Sequence, residues 1–297
     1  MALTKKKSRQ KQHKKLGSLS HGRPPTIRKA APSLSAKATR TLIRSHHQLH
    51  KARAQAVANN DAAAVREIDQ KIEALGGLES YQLASKKGQS KERGGDSSKV
   101  LLEWLQPTLK KLKGEKLRVL EVGALSTTNA CSLAQQLQVT RIDLHSQEKG
   151  ILQQDFMKRP LPTSDADKFH IISLSLVLNY VPEPAGRGEM LLRTTRFLDA
   201  TIPPSLEDAS IEFKPCLFLV LPAACVLNSR YLTEERLSEI MNSIGYSRTQ
   251  RKVTEKLIYH LWEYDTAHTI RTPCVYKKDQ LNPGKIRNNF CVTLNLH

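Results

Sequence analysis

The sequence predicts an α/β fold, a mainly parallel sheet with helices on both faces and an antiparallel edge. Three observations carry that expectation. Residues Leu117–Val122, LRVLEV, are a short apolar strand that runs straight into Gly123. Residues 169–178 are a nearly continuous apolar run, as a strand covered on both faces requires. Between and after them, segments with apolar residues at helical spacing alternate with such strands, which is the rhythm of stacked βα units.

Taken in order, residues 1–40 are rich in Lys, Arg, Ser and Pro with few large apolar side chains, and are expected to be a disordered basic tail. From Leu42 to Leu75 apolar residues recur at three- and four-residue intervals, predicting a helical segment over 41–84 with a break at Asn59-Asn60 and a stop at Gly76-Gly77. The stretch SKKGQSKERGGDSSK, residues 85–99, has almost nothing to bury and reads as a linker. The main domain is then 100–297. Within it, residues 100–113 read as an amphipathic helix with Leu101, Leu105, Leu109 and Leu112 on one face. A strand at Leu117–Val122, a helix over 129–137 and a strand over 139–144 follow. Then come the strand within 169–178, a helix over 189–198, a strand over 216–221 and a helix over 234–244 ending at Gly245. Residues 256–263 and 290–296 read as further strands.

The charge is uneven. Residues 1–60 hold fifteen Lys and Arg and no Asp or Glu, whereas the rest of the chain carries 32 basic and 28 acidic residues. A solvated basic tail attracts a polyanion by counterion release, so nucleic acid contact, a nuclear address through the import machinery, or both are expected. The five cysteines are widely spaced and none forms C-x-x-C, which speaks for reduced thiols in an intracellular protein and against a metal or redox site. The N-terminus lacks the apolar stretch of a secretory signal, and the longest apolar runs are too short to span a bilayer, so no membrane association is expected.

The chemistry gathers in LRVLEVGALSTTNACSLAQQLQVTRIDLHSQEKGILQQDFMKRPLP, residues 117–163. Strand, glycine turn, helix and a strand ending in an acid is how an α/β sheet builds a nucleoside pocket. A dinucleotide needs the second and third glycines of G-x-G-x-x-G against its pyrophosphate, and the turn here, GALSTTNA, has neither. S-adenosylmethionine has no phosphate and needs one close backbone approach, which Gly123 supplies. Asp143 would accept from the two ribose hydroxyls, Glu121 would orient the turn or the ammonium group, and Asp155 would accept from the adenine amino group with Phe156 against the ring. The alternatives are plain: a turn glycine at 123, a turn or helix cap at Asp143, a surface or capping role for Asp155. In SLSLVLNYVP, residues 173–182, Asn179 could bond the edge of a base and Tyr180 stack on it, or the two could be a strand cap and a core tyrosine. A third segment, LPAACVLNSRYLTEERL, has the form of a pocket rim, with Asn228, Ser229, Arg230 and Tyr231 as its polar groups; Arg230 serves equally well as a surface or ion-pairing residue.

The strings LRVLEVGALSTTNACS, RIDLHSQ, QQDFMKRPLP, SLSLVLNYVPEPAGRGEMLLRTTRFL and LPAACVLNSRYLTEERL together resemble the fungal 25S ribosomal RNA adenine-N1 methyltransferases, over roughly residues 40–297. The resemblance implies a Rossmann-like class I methyltransferase fold, S-adenosylmethionine as methyl donor, and 25S rRNA within pre-ribosomal particles as substrate. It also implies a place in ribosome biogenesis in the nucleolus. It maps the family's donor-binding positions onto Gly123 and Asp143. A metazoan branch of the same family resembles an S-adenosylmethionine sensor of nutrient signalling, so a non-catalytic donor-binding protein is the alternative reading.

Overall fold

The computed structural model describes residues 36–77, 80 and 84 and, with short gaps, 95–296. The expected tail over 1–35 and linker residues 85–94 lie outside the described residues. Helix α1, Ala36–Ala58, begins before the expected boundary at residue 41, because Ala38 and Thr39 continue its pattern and Thr39 is buried. The break falls where expected: Asn60 takes a left-handed φ of 56°, and Asp61 caps α2, Ala62–Ala74, by accepting from Ala64 N at 2.9 Å. Arg53 joins the two helices through an ion pair with Asp69, 2.6 Å. Burial, Arg53 and His145 all depress the His50 pKa, which places α1 beside the loop that follows the second strand.

Helix α3, Ser98–Leu109, leads into β1, Leu117–Val122. After β1 come α4, Ala130–Leu133, β2, Leu137–Asp143, the two-residue β3, Leu152–Gln153, and β4, Ile171–Ser175. Helix α5 is Pro184–Thr194, α6 Pro204–Asp208, β5 Cys216–Pro222, α7 Ala223–Leu227 and α8 Glu234–Ser243. Strands β6, Tyr246–Val253, and β7, Leu257–Tyr264, follow, and β8, Cys274–Tyr276, pairs with β9, Leu294–Leu296, in a separate ribbon.

The seven-stranded sheet runs β3-β2-β1-β4-β5-β7-β6. The first five strands pair in parallel, while β7 is antiparallel to both β5 and β6. Side-chain alternation explains why both faces are covered. Leu117 and Val119 of β1 and Cys216, Phe218 and Val220 of β5 pack with α3, where Trp104 meets Phe218 edge-on at 5.9 Å. Leu120, Val122, Leu217, Leu219 and Leu221 face the other way, onto α5, α7 and α8. Each such fully buried leucine contributes about 2 kcal/mol relative to exposure.

Besides the start of α1, the helix expected over 189–198 runs earlier, Pro184–Thr194, the strand expected over 290–296 shrinks to Leu294–Leu296, and three further elements depart from expectation. The helix expected over 129–137 is one turn, because Leu137 is already paired with Leu117 in the sheet and the chain turns extended at Ala134. Residues 176–178 leave the fourth strand, Leu176 at a left-handed φ of 58°. Strand β6 has no apolar alternation to read: after the buried Tyr246 its side chains, SRTQRKV, are mostly exposed, as suits a charged edge that resists pairing with another chain.

Candidate active site

The first three strands build outward in one direction and β4 lies on the other side of β1, so the connection reverses between β1 and β4. The crevice beyond the carboxyl ends of strands at such a reversal is where open α/β sheets bind ligands. Gly123 stands at that point. Its φ is 73°, its N–H donates to Ile142 O at 2.8 Å, and a Cβ there would sit 2.6 Å from Val177 Cγ2 in the loop after β4. Conformation and space both demand glycine.

Glu121 points its carboxylate into the same region. Oε1 accepts from Asn129 Nδ2 at 2.7 Å, while Oε2 is buried with no hydrogen-bond partner. Burial raises its pKa, opposed by the Asn129 bond and by Arg141 across the strand pair. Asn129 also caps α4, accepting from Ser132 N at 2.9 Å. Asp143 ends β2 in a local turn, its Oδ1 accepting from His145 N at 2.9 Å and its carbonyl from Gln154 N at 2.8 Å. Asp155 Oδ1 caps the 3-10 turn Phe156–Lys158 by accepting from Met157 N at 2.8 Å. Phe156, expected against an adenine ring, is instead a core residue, 2% exposed and packed on Phe197 at 5.4 Å.

Asn179 and Tyr180 lie in the 3-10 turn Leu178–Tyr180 just beyond β4, so the structure brings them to the strand end that faces Gly123. The Asn179 Oδ1 is buried and has no hydrogen-bond partner. The turn is reached through the strained Leu176, and such strain persists only where the surroundings hold it.

One group escaped the sequence reading, and a second was named there but does a different job. Asp96, in the expected linker, bonds Ser98 N at 2.9 Å and Ser98 Oγ at 2.6 Å through Oδ1, and Ala130 N at 2.6 Å through Oδ2. Ser97 shares a 2.8 Å hydrogen bond with Ser175 at the end of β4. Its short polar side chains gave no periodic signal, yet they tie the start of α3 to both sides of the crevice. The second group is Asn228, Ser229 and Arg230, expected on a pocket rim. They are instead knitted to a C-terminal strap, residues 281–291: Arg230 bonds Gly284 O at 2.9 Å, Asn289 Oδ1 at 2.6 Å and Lys285 O at 3.0 Å, and Ser229 Oγ donates to Phe290 O. Arg230 clamps two stretches of chain together.

A hollow of about 420 Å³ lined by Glu234, Glu235, Glu239, Arg248 and Arg251 lies between α8 and β6 and shares no residue with the crevice. Among the described residues no group of three or more His, Cys, Asp and Glu could hold a metal ion, and no helix is long and apolar enough to cross a membrane.

The crevice fits a nucleoside-like donor bearing an ammonium group. It offers a glycine turn in a left-handed conformation, a strand-terminal acid, and two buried acceptors, Glu121 Oε2 and Asn179 Oδ1, that have no hydrogen-bond partner among the described residues. Comparison with known proteins gives the family. The sequence model of the family described as 25S rRNA (adenine(2142)-N(1))-methyltransferase, Bmt2, matches residues 66–292. The chain belongs to this family. The 25S rRNA adenine-N(1) methyltransferase of Schizosaccharomyces pombe is 38% identical over 257 residues, 84% of this chain and 89% of its own length. The 25S rRNA (adenine(2142)-N(1))-methyltransferase of Saccharomyces cerevisiae is 40% identical over 232 residues; the match spans 76% of this chain and 63% of that longer protein. Among solved structures, the N-methyltransferase NodS of Bradyrhizobium japonicum overlaps 56% of this chain and 84% of its own at 14% identity, with a TM-score of 0.37. The CurJ carbon methyltransferase overlaps 77% and 70% at 14% identity with a TM-score of 0.43. Both scores are low, and the family assignment rests on sequence.

Proposed function

We propose that this protein methylates N1 of an adenine in large-subunit ribosomal RNA, with S-adenosylmethionine as donor. The observation that carries the reading is the Gly123–Val177 cradle at the sheet reversal, in a chain of the 25S rRNA adenine-N1 methyltransferase family. When bound, S-adenosylmethionine supplies an electrophilic methyl group on a sulfonium. Gly123 admits the donor's closest approach to the backbone, and Asp143 accepts from its ribose hydroxyls. The bare Oε2 of Glu121 is the acceptor for its ammonium group, and the second oxygen of Asp155 is available to its adenine amino group.

The adenine N1 lone pair is already nucleophilic, so no residue has to remove a proton before attack, and holding donor and acceptor in line supplies most of the rate. N1 lies on the pairing edge, so the target base must be unpaired or extruded. Asn179 Oδ1 would accept from its exocyclic amino group, which also suits the cationic product, and Tyr180 would stack on the ring. The fifteen basic residues before Asp61 support backbone affinity for RNA and passage through the import machinery to the nucleolus, where pre-ribosomal particles are found. Helix α1 belongs to this acid-free stretch and sits beside the loop carrying His145.

The test is methyl transfer to unmodified large-subunit rRNA, read by primer extension, since N1 methylation blocks pairing. The expected result is one strong stop that disappears with Asp143→Ala. If the donor binds yet no methyl group reaches the RNA, and Asp143→Ala leaves rRNA modification in cells unchanged, the proposal fails and the sensor reading stands.

A further inference from the structure

The strap and the turn that carries Asn179 meet at one side chain. Arg187, in the first turns of α5, is 8% exposed. Its Nε donates to Val181 O at 2.9 Å, its Nη2 to Pro182 O at 3.1 Å and its Nη1 to Cys291 O at 2.6 Å. The guanidinium lies over the Phe290 ring, 4.3 Å from its centroid. Among the described residues, all three of its hydrogen-bond acceptors are backbone carbonyl oxygens, and Glu183 acts on it only through its charge. A cation held this way in a buried place is costly unless each donor is matched, and a planar fork matches three fixed carbonyls where an ammonium point charge does not.

The two segments so joined are about a hundred residues apart, and further close contacts flank the fork. Thr293 N donates to Pro184 O at 3.1 Å, and a Cβ on the neighbouring Gly188 would fall 2.0 Å from Thr293 O. On the other side of the turn, Ser175 is bonded to Ser97. The chain from Ser175 to Pro182 is therefore pinned at both ends, with the strained Leu176 and the unpartnered Asn179 Oδ1 between the pins.

We infer that Arg187 is a positioning residue for methyl transfer: it sets the height of the Asn179–Tyr180 turn over the donor by locking Val181 and Pro182 to the C-terminal strap at Cys291. This rests on the methyltransferase reading. Arg187 has no contact with Gly123 or Asp143, so losing its fork shifts the target base while leaving the donor in place.

The test compares the full-length wild type, Arg187→Lys and Phe290→Leu for donor affinity by calorimetry, thermal unfolding, and single-turnover methyl transfer to large-subunit rRNA. Arg187→Lys keeps the charge and removes the fork. It is expected to lower the transfer rate by about 100-fold, the scale of an ångström-sized misplacement, with donor affinity within about twofold of wild type. Phe290→Leu removes the ring stacked on the guanidinium while keeping an apolar side chain in the core, and is expected to lower the rate by about threefold at unchanged donor affinity. It carries the comparison if Arg187→Lys does not fold. The inference is overturned if a folded Arg187→Lys transfers at the wild-type rate, if donor affinity falls in step with the rate, or if Phe290→Leu is indistinguishable from wild type when Arg187→Lys cannot be purified. A wild type that binds donor and transfers nothing sinks the methyltransferase reading, and the positioning role with it. An active wild type with an equally active Arg187→Lys sinks the positioning role alone.

Discussion

Glu121 and Glu234 are both partly buried glutamates beside the same sheet, and their surroundings push them in opposite directions. Glu234, at the start of α8, receives Arg251 Nη2 at 2.9 Å, is bonded by Arg248, and lies 3.4 Å from His260 Nε2. The Arg251 hydrogen bond leads the causes that lower its pKa. Glu121, at the end of β1, has one amide donor and one bare oxygen, and burial raises its pKa. The antiparallel edge of the sheet has satisfied both oxygens of the Glu234 carboxylate from within the chain, although the buried His260 Nδ1 beside it has no partner among the described residues. The parallel half has left an acceptor waiting at the point where the strand order reverses. A finished network holds structure together, whereas an unfinished one at a crevice marks a place for a ligand.

The comparison can be broken from the site side first. Gly123→Ala places a methyl group 2.6 Å from Val177 at a φ that alanine disfavours, so donor affinity is expected to fall by about 100-fold in a calorimetric titration. An alanine variant that binds as wild type would show that the cradle is only a turn.

Glu121→Gln should weaken donor binding by about tenfold, the size of one charge-assisted hydrogen bond, without lowering the melting temperature of the donor-free protein. The sign follows from linkage. A carboxyl whose folded pKa is raised opposes folding once ionised, so stability falls as pH rises through that pKa, and the neutral amide removes the opposition. Glu234→Gln should do the reverse, leaving donor affinity alone and costing about 1 kcal/mol of stability. The figure is modest because Arg248 and Arg251 are 31% and 45% exposed and water screens them. Equal effects of the two substitutions on donor affinity would erase the distinction.

The last test is in acid. The pKa of His260, fully buried, is pushed down to about 4 by burial, with Arg248 and Arg251 adding to the shift and Glu234 opposing it. The unfolded chain therefore binds a proton near pH 6.5 that the folded chain refuses until about pH 4, so stability is lost as pH falls through that window. The lowered Glu234 pKa adds a further loss below its ordinary value of 4.5. Chemical denaturation between pH 7 and pH 4 should show this slope, and His260→Gln should flatten it.

How much of this was legible in the sequence differs by element. The strand Leu117–Val122 matches its expected bounds, because an apolar run stopped by glycine is a local signal. The hairpin break at Asn60 and Asp61 is equally local. Strand β6 was invisible because an edge strand facing water on both sides needs no alternation, and α4 was overestimated because pairing of Leu137 with Leu117 overrides helical spacing. Gly123, Glu121, Asp143, Asn179 and Tyr180 were all named from the chain, since strand ends announce themselves. Asp96 and Arg187 were not, since a polar turn and one arginine in a helix look like many others.

The sequence by itself determined the order of the central strands and the longer helices, the basic excess before Asp61, and a glycine turn unsuited to a pyrophosphate. Those are properties of neighbouring residues and of composition. Only the tertiary structure decided that Ser97 would meet Ser175, that Val177 would close on Gly123, and that Arg187 would bind Cys291. It also moved Phe156 from the site into the core. Contacts between residues tens to a hundred positions apart arise from sheet order and packing, and no local pattern encodes them.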